Sequence, residues 1–201
     1  MQDKISRRSF LKGSALATAG WVDPASALQG TAAAAKERLG PSVGPQSVSI
    51  ALSVNGIVHR IAVEPRMTLV EALRGPLQLT GTKIGCDRAA CSACTVLLDG
   101  QPVCSCMMLA IEVGDRKVTT VEGLAKGDAL HPVQAAFVEH DAIQCGYCTS
   151  GMVLSCVALL ERNPHPEASE VRAAISGHTC RCGTYPHVVA AVLDVAERKG
   201  S

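Results

Sequence analysis

Apolar and polar residues alternate along two neighbouring stretches of the chain. From Val48 to Val54 every second residue is a large apolar one, and the alternation resumes from Ile57 to Val63. A period of two is typical of a strand with one buried face. Asn55-Gly56, between the stretches, is a strong hairpin signal because both residues tolerate positive φ. The pattern predicts a β-hairpin.

Short elements and a cysteine-rich loop follow the hairpin. Thr68 is expected to cap a short amphipathic helix that ends at Gly75-Pro76. Further strands are predicted near residues 95–98, 102–106 and 117–121. Strands, one helix and a metal-binding loop together indicate a β-grasp, ferredoxin-like domain over residues 47–123.

After Gly123 the hydrophobic period changes from two to about 3.6, which indicates helices. Residues 124–201 are therefore predicted to form an all-α domain, so the fold class is α+β. Four helices are expected, starting at Pro132, after a cap at Thr149 or Ser150, ahead of Val171 and at Pro186.

Ten cysteines are present, and eight of them form two sets with ligand spacing. The first set is Cys86-x4-Cys91-x2-Cys94 followed by Cys106, and the second is Cys145-x2-Cys148 followed by Cys180-x-Cys182. A 2Fe-2S cluster needs four thiolates, two for each iron, and the first spacing is of the plant type. The sequence predicts two such clusters. Cys104 shares a strand face with Cys106 in this interpretation, so pleating does not choose between them as the fourth ligand.

Other uses of the cysteines stay open at this point. Cys145-x2-Cys148 alone is compatible with zinc or with a thioredoxin-like redox pair, and exported proteins commonly form disulfides. A Rieske centre would need two His-Cys pairs, and only His178 lies close to a ligand cysteine. All six histidines are expected at the surface or at helix caps.

The first residues have the order of a twin-arginine export signal. Arg7-Arg8 precedes Phe-Leu-Lys, a modest apolar run and the A-x-A sequence Ala25-Ser26-Ala27. Residues 1–27 are interpreted as the signal and 28–46 as a flexible leader, and the apolar run is too short for a membrane anchor. Because this pathway carries folded proteins, clusters can be assembled before export to the periplasm.

Composition removes one class of partner. The net charge is +1 and aromatic residues make up 2% of the chain, so neither electrostatics nor base stacking supports nucleic-acid binding.

Four motifs carry a family resemblance: Gly81-Thr82-Lys83-Ile84-Gly85-Cys86-Asp87, Ala93-Cys94-Thr95-Val96, Gln144-Cys145-Gly146-Tyr147-Cys148-Thr149 and Cys180-Arg181-Cys182-Gly183. In this order they resemble the small iron-sulfur subunit of the xanthine oxidase and aldehyde oxidoreductase family, the molybdenum hydroxylases. The resemblance runs from about residue 48 to 196. With the export signal, it is most like the small subunits of periplasmic aldehyde oxidoreductases.

The resemblance implies a β-grasp domain with one cluster on the flavin side and a four-helix domain with a second cluster beside molybdopterin. The implied ligands are Cys86, Cys91, Cys94 and Cys106, and then Cys145, Cys148, Cys180 and Cys182. Gln144 and Cys182 are expected against the pterin of a large partner subunit. The chain would be the non-catalytic redox subunit of an enzyme that oxidises aldehydes or N-heterocycles. Electrons would pass through both clusters to a flavin (FAD) subunit or a cytochrome. A free-standing periplasmic ferredoxin is the alternative.

Two residues depart from the family pattern. Ala89 and Ser92 stand where relatives usually have glycine, and a left-handed conformation would cost each about 1 kcal/mol. We hypothesise that Ser92 instead donates a hydrogen bond to a cluster sulfur and raises the reduction potential.

Overall fold

The computed structural model describes residues 44–200. The export signal and residues 28–43 of the predicted leader lie outside the described residues. Each half of the described chain has one large hydrophobic core, and a small third cluster contains Val70, Cys94 and Cys106. The predicted domain boundary at Gly123 stays a prediction.

A mixed five-stranded sheet forms the first half. Its strands are β1 (Val48–Val54), β2 (Ile57–Val63), β3 (Thr95–Leu98), β4 (Gln101–Cys104) and β5 (Lys117–Thr119). They lie in the order β2-β1-β5-β3-β4, with β1 and β5 parallel and the other neighbours antiparallel.

The predicted hairpin is confirmed. β1 and β2 pair from Val48 with Val63 to Val54 with Ile57. Asn55 and Gly56 have φ values of 52° and 80°, which two-residue hairpin turns of the primed type require. The Asn55 side chain also bonds Thr120, so the turn is tied to the end of β5.

The strands predicted at 102–106 and 117–121 are too long. β4 ends at Cys104, and Ser105–Met107 is a 3-10 turn, at whose start the backbone N–H and the hydroxyl of Ser105 both donate to the Cys94 carbonyl. Cys104 and Cys106 therefore do not share a strand face. β5 ends at Thr119, and a second 3-10 turn follows at Val121–Gly123.

The first helix, α1 (Leu69–Arg74), begins and ends as predicted. Thr68 accepts from the Glu71 N–H, and the Glu71 carboxylate accepts from the Thr68 N–H, which is a complete capping box. Its apolar face packs against the sheet in a core that contains Leu52, Val54, Val63, Leu69, Leu73, Val96 and Val118.

The second half contains α2 (Pro132–Glu139), α3 (Thr149–Arg162), α4 (Ala168–Ile175) and α5 (Tyr185–Gly200). Pro132 lies in the first turn of α2, as predicted. The predicted cap at Thr149 or Ser150 is wrong: the helix already begins at Thr149, and Cys148 before it makes no side-chain cap. α5 begins at Tyr185, one residue before the predicted Pro186.

Helix α3 is the centre of the second core. Its residues from Ser150 to Leu160 are all buried, in agreement with the prediction for this apolar stretch. Leu97 of β3 belongs to the same core, so α3 packs against both the other helices and the sheet. Within residues 44–200, no helix has the length and apolar character needed to cross a membrane.

Candidate iron-sulfur centres

The first thiol set is held by an irregular loop that turns its backbone N–H groups toward sulfur. Cys86 N–H donates to the Cys91 Sγ at 3.3 Å, Ala90 N–H donates to the Cys86 Sγ at 3.1 Å, and Ala89 N–H donates to the Cys106 Sγ at 3.3 Å. Such donors stabilise thiolates. The Cys94 and Cys106 side chains are also in contact. All four thiols of this set therefore face one another.

Small residues let the loop fold this closely. A Cβ added at Gly85 would lie 2.8 Å from the Cys91 Sγ, closer than side-chain carbons approach one another. Gly85 is followed by Cys86, so this glycine keeps the first two sulfurs within reach of each other.

The left-handed conformation is kept at both positions where relatives usually have glycine. Ala89 has φ of 55° and Ser92 has φ of 54°. Each pays about 1–2 kcal/mol for this backbone. The Ser92 Oγ lies 3.9 Å from the Sγ of Cys104, which is outside the predicted ligand set. The hydroxyl thus lies beside the sulfur of Cys104, and the hypothesis that Ser92 donates to a cluster sulfur stays a prediction.

The second thiol set joins the starts of two helices. Cys148 directly precedes α3, and Cys182 lies three residues before α5. The Cys145 side chain contacts that of Cys182, and the Cys148 side chain contacts that of Cys180. Helix N-termini present free N–H groups and favour anions, so this placement suits an anionic cluster.

Two hydroxyl groups after the last cysteine support this set, and the sequence pattern did not reveal either. The Tyr185 hydroxyl donates to the His178 carbonyl at 2.8 Å and accepts from the Cys180 N–H at 2.7 Å. The Thr184 Oγ1 lies 3.4 Å from the Cys180 Sγ. A hydroxyl residue just before a helix start is a recognisable signal, but its sulfur partner is visible only in the fold.

Electrostatics divide each set into an easily ionised side and a buried side. In the first set, the Arg88 N–H lowers the pKa of Cys86 to about 7, whereas burial raises the pKa of Cys94 and raises that of Cys106 to about 11. In the second set, burial raises the pKa of Cys148 to about 12. Burial also opposes ionisation of Cys180, but hydrogen bonds from Thr184 outweigh it and lower the pKa to about 7.

The donor chemistry fits two 2Fe-2S clusters. Each set offers four thiols as two facing pairs, which is what two tetrahedral irons require, and all ten cysteines are free thiols. In the described part of the chain, no three His, Cys, Asp or Glu side chains converge closely enough to hold one metal ion.

The two residues expected near the pterin differ in exposure. Gln144 is exposed and Cys182 is half-buried, and Cys145, which follows Gln144, is exposed as well. Tyr147, between Cys145 and Cys148, is 50% exposed and its hydroxyl donates to the Ile84 carbonyl, so it reaches the loop of the first set.

The expectation that all histidines lie at the surface or at caps is wrong for one of them. His178 is 4% exposed, and its Nε2 lies 2.8 Å from the Ser155 Oγ. Burial lowers its pKa to about 4, so the ring is neutral at ordinary pH. The residues next to His178 in the sequence do not indicate its burial, because the ring is buried by contact with helix α3, which lies earlier in the chain.

Comparison with known proteins supports the geometry of both halves. Residues 52–125 match the family of 2Fe-2S iron-sulfur cluster binding domains, and residues 120–193 match the [2Fe-2S] binding domain family. Residues 4–20 match the twin-arginine translocation pathway signal sequence. Two cluster-binding domains and an export signal are therefore present in one chain.

Several curated proteins are similar over most of the chain. The aldehyde oxidoreductase iron-sulfur-binding subunit PaoA of Escherichia coli O157:H7 is 41% identical over 208 positions, which cover 96% of this chain and 88% of that protein. The chain belongs to the iron-sulfur small subunits of the molybdenum hydroxylase family. The nicotine 6-hydroxylase small subunit of Paenarthrobacter nicotinovorans is 47% identical and covers 77% of this chain and 93% of that protein.

Solved structures of the family have the same fold. The quinoline 2-oxidoreductase of Pseudomonas putida 86 has a chain that is 44% identical, with a TM-score of 0.74 over 77% of this chain and 98% of that chain. The aldehyde oxidoreductase of Desulfovibrio desulfuricans is 42% identical, with a TM-score of 0.72 over 76% of this chain and 17% of that chain.

Family membership confirms the predicted role. As a small subunit of a molybdenum hydroxylase, the chain transfers electrons through two 2Fe-2S clusters and is the non-catalytic redox part of an oxidoreductase. Such complexes contain a large molybdopterin subunit beside the iron-sulfur subunit. The export signal directs the chain to the twin-arginine pathway.

Proposed function

We propose that this subunit serves a molybdopterin-dependent complex that oxidises aldehydes in the periplasm. The choice of aldehydes as substrates rests on the share of this chain that each relative's alignment covers. The PaoA aldehyde oxidoreductase subunit aligns with 96% of this chain. The nicotine, 6-hydroxypseudooxynicotine and nicotinate subunits, and the aldehyde oxidoreductase of Megalodesulfovibrio gigas, align with 72–77%. N-heterocycles are the second candidate substrate class, because the highest of these identities is to the nicotine 6-hydroxylase subunit. The twin-arginine signal supports the location.

Cys86, Cys91, Cys94 and Cys106 are the proposed ligands of the first cluster. Contacts between side chains support two pairs, Cys86 with Cys91 and Cys94 with Cys106, so each pair would hold one iron. Cys106 is preferred to Cys104 because its Sγ accepts from the Ala89 N–H of the loop.

Cys145, Cys148, Cys180 and Cys182 are the proposed ligands of the second cluster. Here the contacts pair Cys145 with Cys182 and Cys148 with Cys180. Within each pair one thiol comes from the loop before α3 and the other from the loop before α5. The two loops would thus close over the cluster from opposite sides.

Each bound cluster would accept and release one electron at a time. The chain's own residues hold the thiolates in place, donate hydrogen bonds to them and keep water from the buried thiols Cys94, Cys106 and Cys148. The backbone N–H groups in the first loop and the Thr184 hydroxyl in the second stabilise negative charge on sulfur. No side chain of this subunit is required to touch the substrate.

The second cluster is proposed to face the pterin and the first to face the acceptor. Exposure of Gln144 and Cys145 supports the first statement, because both can be covered by a large partner subunit. The acceptor would be a flavin subunit or a cytochrome. The finer architecture, a β-grasp domain over 47–123 followed by a four-helix domain over 124–201, belongs to this proposal.

The test is reduction of the complex by its substrate. The chain is purified with its co-purifying partners, mixed anaerobically with an aldehyde or an N-heterocycle, and followed by EPR. We expect the aldehyde to reduce both centres to the extent that dithionite does, and Gln144→Ala to slow this reduction without changing the dithionite result. Reduction by the N-heterocycle alone would show that N-heterocycles, and not aldehydes, are the substrate class. A chain that purifies alone with both centres would instead be a free-standing carrier.

A further inference from the structure

The two thiol sets touch through residues outside both proposed ligand sets. We define the inter-loop contact as six residues from the first loop, from α3 and from the turn before Cys180: Ser92, Gly151, Ser155, Gly177, His178 and Thr179. Three independent observations describe how it is built.

A single hydrogen bond connects the backbones of the two sets. The Thr179 N–H donates to the Cys91 carbonyl at 3.1 Å. Thr179 directly precedes Cys180, so two proposed ligands of different clusters are separated by one peptide unit and one hydrogen bond. This bond therefore ties the backbone beside one proposed centre to the backbone beside the other.

The carbonyl of the next residue lies directly on helix α3. A Cβ added at Gly151 would be 2.4 Å from the Ser92 carbonyl oxygen and 3.1 Å from the His178 Nδ1. The carbonyl has little freedom to move, because it accepts from the Thr95 N–H at 3.1 Å and from the Thr95 hydroxyl at 2.7 Å. Only glycine fits at position 151 without displacing the first loop.

His178 closes the contact from the other side. Its Nε2 lies 2.8 Å from the Oγ of Ser155, one helical turn after Gly151 on the same face of α3. Its buried Nδ1 makes no hydrogen bond and lies, like the Ser92 carbonyl, against the Cα of Gly151. The ring is held by the helix and in turn supports the first loop.

We propose that Gly151 and His178 are positioning residues that set the separation of the two iron-sulfur centres. They seat the Ser92–Ala93 peptide on α3 and so hold the adjacent Cys91 carbonyl within hydrogen-bond distance of Thr179. Electron transfer and magnetic coupling between two centres both weaken as their separation grows. The inference rests on the proposed ligand sets, because it needs one centre in each of them.

The test compares two alanine substitutions in the same contact. Gly151→Ala pushes against a backbone carbonyl, although alanine itself favours a helix more than glycine does. Gly177→Ala is the matched control, because its Cβ would lie 3.2 Å from the Ser92 hydroxyl, which can rotate away. His178→Leu is a second variant that keeps most of the side-chain volume but removes the hydrogen bond to Ser155.

The measurement is low-temperature EPR of each fully reduced complex, purified with its partners. We expect the parent and Gly177→Ala to show two centres with the same magnetic splitting. Gly151→Ala and His178→Leu should keep both centres but show a reduced splitting. An unchanged splitting in both of these variants, or an unsplit parent, would overturn the inference.

Two further outcomes are also decisive. If Gly151→Ala loses a centre, His178→Leu carries the test with the same expectation. If the parent itself lacks two 2Fe-2S signals, the proposed ligand sets are wrong, and this result is distinct from a failure of the positioning residues.

Discussion

The two thiol sets solve the same problem with different structures. The first uses one irregular loop, in which Asp87, Ala89 and Ser92 all have positive φ and backbone N–H groups point at sulfur. The second uses two regular helix starts, and hydroxyl groups of Thr184 and Tyr185 take over part of the support.

This difference determines what each set is sensitive to. The arrangement of the first set depends on backbone conformation, so it should be sensitive to the size of the loop residues and to their ability to adopt positive φ. The helical set depends on particular side chains, so loss of a single hydroxyl has a defined effect. Both sets still combine one thiol whose pKa is lowered to about 7 with at least one buried thiol whose pKa burial raises.

The largest expected effect separates Cys106 from Cys104. Cys106→Ser should remove the first centre and lower the bound iron per chain by half, because hydroxyl oxygen is a poor substitute for thiolate. Iron analysis and EPR measure this. Cys104→Ser is the matched control and should retain both centres, since its Sγ faces Ser92. If Cys104→Ser lost iron and Cys106→Ser did not, Cys104 rather than Cys106 would be the fourth ligand.

Tyr185→Phe should destabilise the second set and spare the first. It removes two partly buried hydrogen bonds, to Cys180 and His178, worth together about 1–3 kcal/mol. We expect a lower midpoint of urea denaturation of the cluster-loaded complex, with the second EPR signal lost first. Tyr147→Phe removes an exposed hydroxyl from Ile84 and should change the midpoint less. Equal shifts of the urea midpoint in the two variants would contradict a particular role of the Tyr185 hydroxyl in the second set.

Local patterns predicted the elements that local forces build. The β1–β2 hairpin follows from alternation around Asn55-Gly56, and α1 follows from the capping box at Thr68, each within a few residues of sequence. The eight-thiol pattern was likewise visible, because ligand spacing is a local property.

Features that depend on distant contacts were missed. The 3-10 turn after Cys104 contains Ser105, whose N–H and hydroxyl both donate to the Cys94 carbonyl, eleven residues earlier in the chain. Burial of His178 and the bond from Thr179 to Cys91 require α3, the first loop and the second loop to meet. Hydrophobic periodicity and cysteine spacing do not predict contacts among these three segments, which are distant in the sequence.

Thr184→Val tests whether the second set is tuned by a side chain. Removing the hydroxyl near the Cys180 Sγ takes a donor away from negative charge on sulfur. The reduced cluster carries more negative charge, so the reduction potential of the second centre should fall. A differential loss of about 1 kcal/mol corresponds to about 40 mV for one electron. EPR-monitored redox titration measures it, and Thr184→Ser should restore the parent value. A shift of the first centre instead would contradict the account.

The smallest effect is expected at Ser92. Ser92→Gly relieves about 1–2 kcal/mol of left-handed strain but adds flexibility to the unfolded chain, so the net gain in stability should be below about 1 kcal/mol. The potential of the first centre should stay unchanged, because the hydroxyl lies beside Cys104 rather than a proposed ligand. A clear change in the reduction potential of the first centre, measured by redox titration, would support a hydrogen bond from Ser92 to the cluster.

The central claim, one 2Fe-2S cluster in each thiol set, is tested most directly by metal analysis and EPR of the complex reduced with dithionite. The account predicts iron without zinc in this subunit, two distinct 2Fe-2S signals, and molybdenum in a co-purifying partner. A single signal, or zinc in place of iron, would contradict it.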